Sequence, residues 1–273
     1  MNLPLTKCGP EHLGSIDEIP PFDGYLVDVW GVIYDGVNKT PIANTLLRKL
    51  KAQGKVALVS NTSRSSNELA SLLAEKGVEI QLLDGIFTSG SLSQQSIRKR
   101  LKDFPHHTFI MVGTSGACGW LDEFSSNKIS SIKDCDFVIA ANILTESDKE
   151  IETLVDQVIT KGITVYSTNP DRLVNIGGNV QKAAGFFCQK VRARGGQVIE
   201  YGKPNREIFD IALDRIAVDK VNGCMIGDSL ETDIAGGRAA SLHTILIDGC
   251  GGLQYGEEEL SQGLHDFYLK LER

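Results

Sequence analysis

At 273 residues, 41% hydrophobic and 23% charged, the chain is long enough for one large domain or two unequal ones and carries no compositional mark of disorder. A formal charge of −7 without a dense Lys/Arg run excludes an electrostatic footprint for nucleic acid or an anionic membrane, so any phosphate site must be local. No stretch reaches membrane-spanning length, and Cys8, Cys118, Cys135, Cys188, Cys224 and Cys250 form no Cys-x-x-Cys pair and have no His at metal spacing, which argues against a zinc site or a disulfide framework.

The first segment, Met1 to Pro20, is acidic and Pro-containing, without the basic flank and apolar run of a leader, so the expected setting is cytoplasmic. Strand-length apolar runs then recur, each followed by small or polar residues and a helix-like stretch, the rhythm of βα units feeding a parallel sheet. Tyr25 to Val29 is the first run and Val56 to Ser60 the second, with a helix over Leu46 to Gln53 between them that Gly54 suits as a terminus. Gly85 to Thr88 is a short third. A second series comprises Thr108 to Val112, Asp136 to Ala140 and Ile163 to Ser167, enough for a small sheet of its own. A third series, Val198 to Tyr201, Gly223 to Gly227 and Thr244 to Asp248, resumes the rhythm toward the end. The basic cluster Arg98 to Lys102 reads as one solvated helix end, and no internal repeat is visible.

Four places carry candidate chemistry. Asp28 ends an apolar strand, where open α/β sheets place ligands, although a strand-end Asp is also a common turn or helix cap. Ser60-Asn61-Thr62-Ser63 closes the second strand and opens a helix near Asn67, offering hydroxyls and backbone N–H groups to an anion or serving as a plain N-cap. Lys203 is held between Gly202 and Pro204, with Pro204 fitting the first turn of a helix over Asn205 to Ile216. Pinned in this way, its cation suits a phosphate or carboxylate, the alternative being a surface lysine. Gly227-Asp228 to Asp233 places two carboxylates five apart across a strand-loop-helix junction. Asp28 and Asp228, converging from neighbouring strands, suit Mg²⁺ with waters and phosphate oxygens, while Asp233 suits orientation of the loop.

Together, Asp28-Val29-Trp30-Gly31-Val32, Ser60-Asn61, Gly202-Lys203-Pro204 and Gly227-Asp228 to Asp233 resemble the four ordered motifs of the haloacid dehalogenase-like (HAD) hydrolase superfamily. Thr88-Ser89-Gly90, Ser167 to Asp171 and the long spacing between the second and third motifs further resemble its class IIA, NagD-like branch. The resemblance implies a Rossmann-like parallel-sheet core over 1–105 and 197–273, with a large α/β cap over 106–196. It implies Asp28 as nucleophile toward phosphorus, and Mg²⁺ on Asp28, Asp228 and the backbone carbonyl of Trp30. Ser60, Asn61 and Lys203 would hold the phosphoryl group of a small phosphorylated metabolite. The chain departs from the family where an acid/base Asp is expected two residues after the nucleophile and Trp30 stands instead. Loss of general acid–base help, typically worth about 10² to 10⁴ in rate, predicts slow hydrolysis of unactivated alkyl phosphates. Asp35, in Tyr34-Asp35-Gly36, is either a substitute acid or a turn residue.

Two other readings stand beside the phosphatase. Trp30 motivates a catalytically impaired phospho-ligand-binding or sensor protein on the same scaffold. Gly113 to Gly119 has the spacing Gly-x-x-Gly-x-x-Gly, wrong for a dinucleotide fingerprint, and reads as a cap turn. Around Asn142 and Asn169-Pro170-Asp171 the cap loops are placed to select the leaving group, His106-His107 and Trp120 read as solvated and packing residues, and a homodimer is compatible with a flat cap surface.

Overall fold

A computed structural model describes residues 10–248 and 265–270. In chain order the regular elements are β1 (Glu11–Leu13), β2 (Gly24–Val27), α1 (Ala43–Gln53), β3 (Lys55–Ser60), α2 (Ser66–Glu75), β4 (Gly85–Thr88) and α3 (Ser89–Asp103). There follow β5 (Phe109–Gly113), β6 (Phe137–Ala141), α4 (Asp148–Lys161), β7 (Thr164–Ser167), β8 (Leu173–Ile176), β9 (Asn179–Lys182), α5 (Ala184–Ala193) and β10 (Val198–Glu200). The last are α6 (Arg206–Ile216), β11 (Gly223–Gly227), α7 (Ala235–Ala239), β12 (His243–Asp248) and β13 (Phe267–Lys270). The fold is α/β with parallel sheets, as the strand rhythm predicts. Among the described residues, no helix is long and apolar enough to cross a membrane. Cys8 and Cys250 lie outside the described residues, and Cys118, Cys135, Cys188 and Cys224 are free and buried.

The chain gathers into two compact units, one of residues up to Val59, Leu73–Ile86 and from Pro204 on, the other of Ser60–Leu72 and Phe87–Lys203. Residues 106–196 lie inside the second. The seven-stranded sheet runs β1-β13-β12-β11-β2-β3-β4, with β2 paired in parallel to both β11 and β3. All four residues of β2 are buried, as a central parallel strand covered on both faces requires.

The four-stranded sheet runs β10-β7-β6-β5, all pairs parallel. Alternate residues of β6 feed opposite cores. Val138 and Ala140 join Ile151, Val155, Phe187 and Val191 of α4 and α5, whereas Phe137 and Ile139 join Ile97 and Leu101 of α3 with Trp120 and Phe124. Helix α4 starts where its sequence says it should. Ser147 Oγ accepts from Glu150 N–H while Glu150 reaches back to the Ser147 N–H, a capping box.

Two expectations change here. The strand β10, read from the sequence with the C-terminal series, instead pairs with β7, because Val198 and Ile199 pack into the two cores of the smaller sheet. Pro204 stands outside α6, one residue before the N-cap Asn205, instead of in its first turn.

Candidate active site

The carboxylate cluster belongs to the first unit. Asp28 directly follows β2, and its N–H still donates to Ile226 of β11 at 2.9 Å, so strand pairing carries through to the residue itself. Its Oδ1 accepts from the Val29 N–H at 2.7 Å, which orients the carboxylate. The expected strand stops here because the chain folds into a loop. The N–H groups of Ile33 and Tyr34 both donate to the Val29 carbonyl at 2.9 Å.

On the adjacent strand β11, Asp228 occupies the equivalent place one residue past the end. The Ser229 N–H donates to Asp233 Oδ2 at 3.1 Å, and Ser229 Oγ accepts from the Thr232 N–H at 3.2 Å. These bonds fold the loop so that Asp233 faces back. As a result Asp28, Asp228 and Asp233 are all buried, with one carboxylate oxygen of each within 4.8 Å of the others. Three buried anions this close repel one another unless a cation offsets them, and an all-oxygen donor set is what a hard ion such as Mg²⁺ takes. The residues therefore fit the expected metal. Asp233 accepts the Ser229 N–H within this loop, and its carboxylate also joins the cluster.

Trp30 is half-buried, its ring edge-on to Tyr34 at 5.5 Å and 85°. An indole offers an N–H donor and no proton that it can exchange near neutrality, so the position holds no acid or base. Asp35 Oδ1 accepts from the N–H groups of Val37 and Asn38, both at 2.7 Å, which is turn geometry.

In the second unit, Ser60 ends β3, is 1% exposed, and accepts the Thr62 N–H on its Oγ at 3.3 Å. Asn61 is buried and its carboxamide is spent on the backbone of Lys203. Its Oδ1 accepts from the Lys203 N–H at 2.7 Å, and its Nδ2 donates to the Lys203 carbonyl at 2.9 Å and to Asp171 Oδ1 at 2.7 Å. Any phosphate contact by Asn61 is thereby left to its main-chain N–H. Lys203 itself is only 1% exposed, not a surface lysine.

Ser63, which the sequence offers as part of an anion site or as a helix cap, ties this loop down. Its Oγ accepts from the Asn142 N–H at 2.8 Å and from Thr168 Oγ1 at 2.7 Å, and its carbonyl accepts from Trp120 Nε1 at 2.8 Å. Burial pushes the nearby Cys118 thiol up to about 12, against the opposing effect of hydrogen bonds with Ser63 and Thr168. Neither these partners nor the Asp171 to Asn61 bond has a local signal in the sequence, since each joins residues far apart in the chain. Gly113 to Gly119 forms part of the smaller sheet's end and its following turn, and His107 stacks on Phe104 with ring centroids 4.6 Å apart.

The chain is similar to known proteins in sequence and in structure. A model of the haloacid dehalogenase-like hydrolases matches residues 25–125, and a second model, HAD-hydrolase-like, matches residues 200–260. A dihydroxyacetone phosphatase from Corynebacterium glutamicum is 27% identical over 226 residues, covering 82% of this chain and 80% of that one. A haloacid dehalogenase-like hydrolase from Brucella suis has the same fold, with a TM-score of 0.78 at 23% identity over 96% of this chain and 98% of that one. NagD from Escherichia coli shares it with a TM-score of 0.63 at 22% identity, covering 92% and 96%. The chain is thus an enzyme, a hydrolase of the phosphatase type. It belongs to the haloacid dehalogenase-like hydrolase superfamily.

Proposed function

We propose that this protein is a Mg²⁺-dependent phosphatase of a small phosphorylated metabolite, working through an aspartyl-phosphate on Asp28. The observation that carries the reading is the buried cluster of Asp28, Asp228 and Asp233 within 4.8 Å, at the ends of adjacent parallel strands. Asp28, Asp228 and the backbone carbonyl of Trp30 would hold the ion. When bound, it would neutralise the carboxylates and the phosphate ester so that one anion can approach another. The similarity to a dihydroxyacetone phosphatase supports a phosphoester substrate of this size class.

In the reaction, an Asp28 oxygen bonds to phosphorus as the ester P–O bond breaks. The leaving alkoxide takes its proton from water, since Trp30 has none to give. Water then attacks phosphorus, releasing phosphate and restoring the carboxylate. Ser60 and Lys203 hold the phosphoryl oxygens, with the Asn61 main-chain N–H beside them. Asp233 orients the loop that carries Asp228. We read residues 106–196 as the cap, with 1–105 and 197–273 as the core, and the loops at Asn142 and Asn169 to Asp171 as selectors of the leaving group. A cytoplasmic setting and a homodimer fit this reading.

Release of p-nitrophenol from its phosphate ester tests the assignment, because this leaving group needs little protonation. Turnover with Mg²⁺ that EDTA and Asp28→Asn both abolish is the expected result. Phosphate binding without turnover would favour the second reading, a phospho-ligand-binding protein, which Trp30 in the acid/base position motivates.

A further inference from the structure

We propose that Asp171 is a positioning residue for Lys203, acting through the carboxamide of Asn61; the inference rests on the phosphatase reading above, in which the Lys203 ammonium holds the phosphoryl group. Three hydrogen bonds radiate from one amide. Oδ1 of Asn61 accepts from the Lys203 N–H at 2.7 Å, and Nδ2 donates to the Lys203 carbonyl at 2.9 Å and to Asp171 Oδ1 at 2.7 Å. A carboxamide can turn over about its χ2 axis, exchanging its donor and acceptor ends. A carboxylate offers only acceptors, so Asp171 favours the same orientation of Asn61 as the Lys203 N–H and carbonyl do, and adds a charged acceptor to it. If Asn61 turned over, its carbonyl oxygen would face both the Asp171 carboxylate and the Lys203 carbonyl, while its NH₂ faced the Lys203 N–H. All three bonds would be lost together. Asp171 thus reinforces the one orientation of Asn61 that grips both main-chain groups of Lys203.

The surrounding backbone makes this grip precise. Gly202 has φ +113°, a conformation that residues with side chains rarely adopt, and a β-carbon there would lie 2.5 Å from Asn61 Oδ1. The glycine, which takes this conformation freely, therefore admits the Asn61 side chain against the Lys203 peptide. Asp171 is itself fixed, its N–H donating to Asn169 Oδ1 at 2.9 Å and its carbonyl accepting from the Gly185 N–H at 3.1 Å at the start of α5. Asn169 is held in turn by Ser167 Oγ donating to its carbonyl at 3.0 Å. The Lys203 side chain is buried, so its ammonium goes where its Cα–Cβ direction sends it, with little freedom to adjust.

The loop Asn169-Pro170-Asp171 is therefore assigned more than leaving-group selection. It belongs to the part of the molecule that sets the phosphoryl-binding cation, and substitutions in it are expected to change turnover of every substrate, not only the choice among them.

A double-mutant cycle tests the proposal, read in kcat/KM for p-nitrophenyl phosphate and in calorimetric affinity for inorganic phosphate with Mg²⁺ present. Asp171→Ala removes the acceptor and is expected to lower both by about tenfold to a hundredfold, the scale at which a misplaced catalytic group costs rate. Asp171→Asn keeps an acceptor oxygen for Asn61 Nδ2 and is expected to stay within about threefold of the parent protein, as a retained hydrogen bond predicts. In a Lys203→Met background, where the ammonium is gone, Asp171→Ala is expected to cost less than about twofold more. A purely structural role would give additive losses. Full additivity, or Asp171→Asn as damaging as Asp171→Ala, overturns the proposal. The phosphatase reading fails separately: a parent protein that binds phosphate but never turns over the aryl ester contradicts that reading, while the cycle in phosphate affinity still decides the role of Asp171. A parent protein that neither binds nor turns over phosphate overturns both.

Discussion

Asp233 lies so close against Gly227 that a β-carbon added at 227 would stand 2.2 Å from Asp233 Cγ. This approach lets Asp233 take the Ser229 N–H and still keep its carboxylate in the acidic cluster. Gly227→Ala is therefore expected to push Asp233 away and weaken Mg²⁺ binding by about tenfold to a hundredfold, the usual effect of disturbing a group that orients metal ligands. Calorimetric titration with Mg²⁺ checks this, and an unchanged affinity would contradict the role given to Asp233.

Trp30 sets the second prediction. With an indole packed edge-on against Tyr34 where an acid is expected, aryl phosphates with good leaving groups should be hydrolysed much faster than alkyl phosphates. Trp30→Asp is expected to raise kcat on an alkyl phosphate by about tenfold or more, a fraction of the roughly 10² to 10⁴ that general acid–base help supplies, and to change the aryl rate little. Equal parent rates on both ester types would show that the missing acid does not limit turnover.

Asp35 is the carboxylate that the sequence offers in place of that acid, and its hydrogen bonds argue against it. Its Oδ1 is already shared by the N–H groups of Val37 and Asn38. Asp35→Asn keeps the oxygen that accepts both N–H groups, so it should leave the pH dependence of kcat/KM where it was and change stability by less than about 1 kcal/mol, the scale of a turn hydrogen bond. A shifted limb in the pH profile would assign Asp35 to the chemistry.

Buried thiols give a prediction for alkaline stability. Burial pushes Cys118 and Cys188 from 9.0 up to about 12. In the unfolded chain these thiols ionise near pH 9, whereas in the folded protein they keep their protons, so their contribution is complete below pH 9 and is lost as pH rises toward 12. Stability should fall across that window by up to about 1.4 kcal/mol per pH unit for each thiol. Tyr25, pushed up from 10.0 to about 12 chiefly by burial, adds to the decline above pH 10. Urea midpoints at pH 8 and pH 10.5 measure it, and the double variant Cys118→Ala, Cys188→Ala should show a shallower fall. An equal fall in that variant would rule out the thiols as the cause.

The sequence made some of this visible and hid the rest for identifiable reasons. Gly223–Gly227 and Gly85–Thr88 are read to the residue, because each apolar run is bounded by a glycine or by a helix-capping residue. The hairpin of β8 and β9 is not read, although Gly177-Gly178, at φ +57° and +88°, is a two-residue turn signal between them. Its strands carry exposed apolar residues, Leu173 and Val180, and so lack the alternation that marks a half-buried strand. The strands β1 and β13 pair across most of the chain, Glu11 opposite Phe267, and each is too short to announce itself. At the site, Asp28, Asp228 and Lys203 stand out because strand ends and flanking Gly or Pro isolate them. The function of Asn61 does not, since its partners lie 110 and 142 residues away.

The central claim is that phosphorus passes through Asp28, and it is most directly tested by trapping the acyl phosphate. Borohydride added during turnover of p-nitrophenyl phosphate reduces an aspartyl-phosphate to homoserine, which peptide mass spectrometry locates by residue. The account predicts the modification at position 28 alone, requiring both substrate and Mg²⁺ and absent in Asp28→Asn. Sustained turnover with position 28 unmodified, or the modification at another carboxylate, would contradict it.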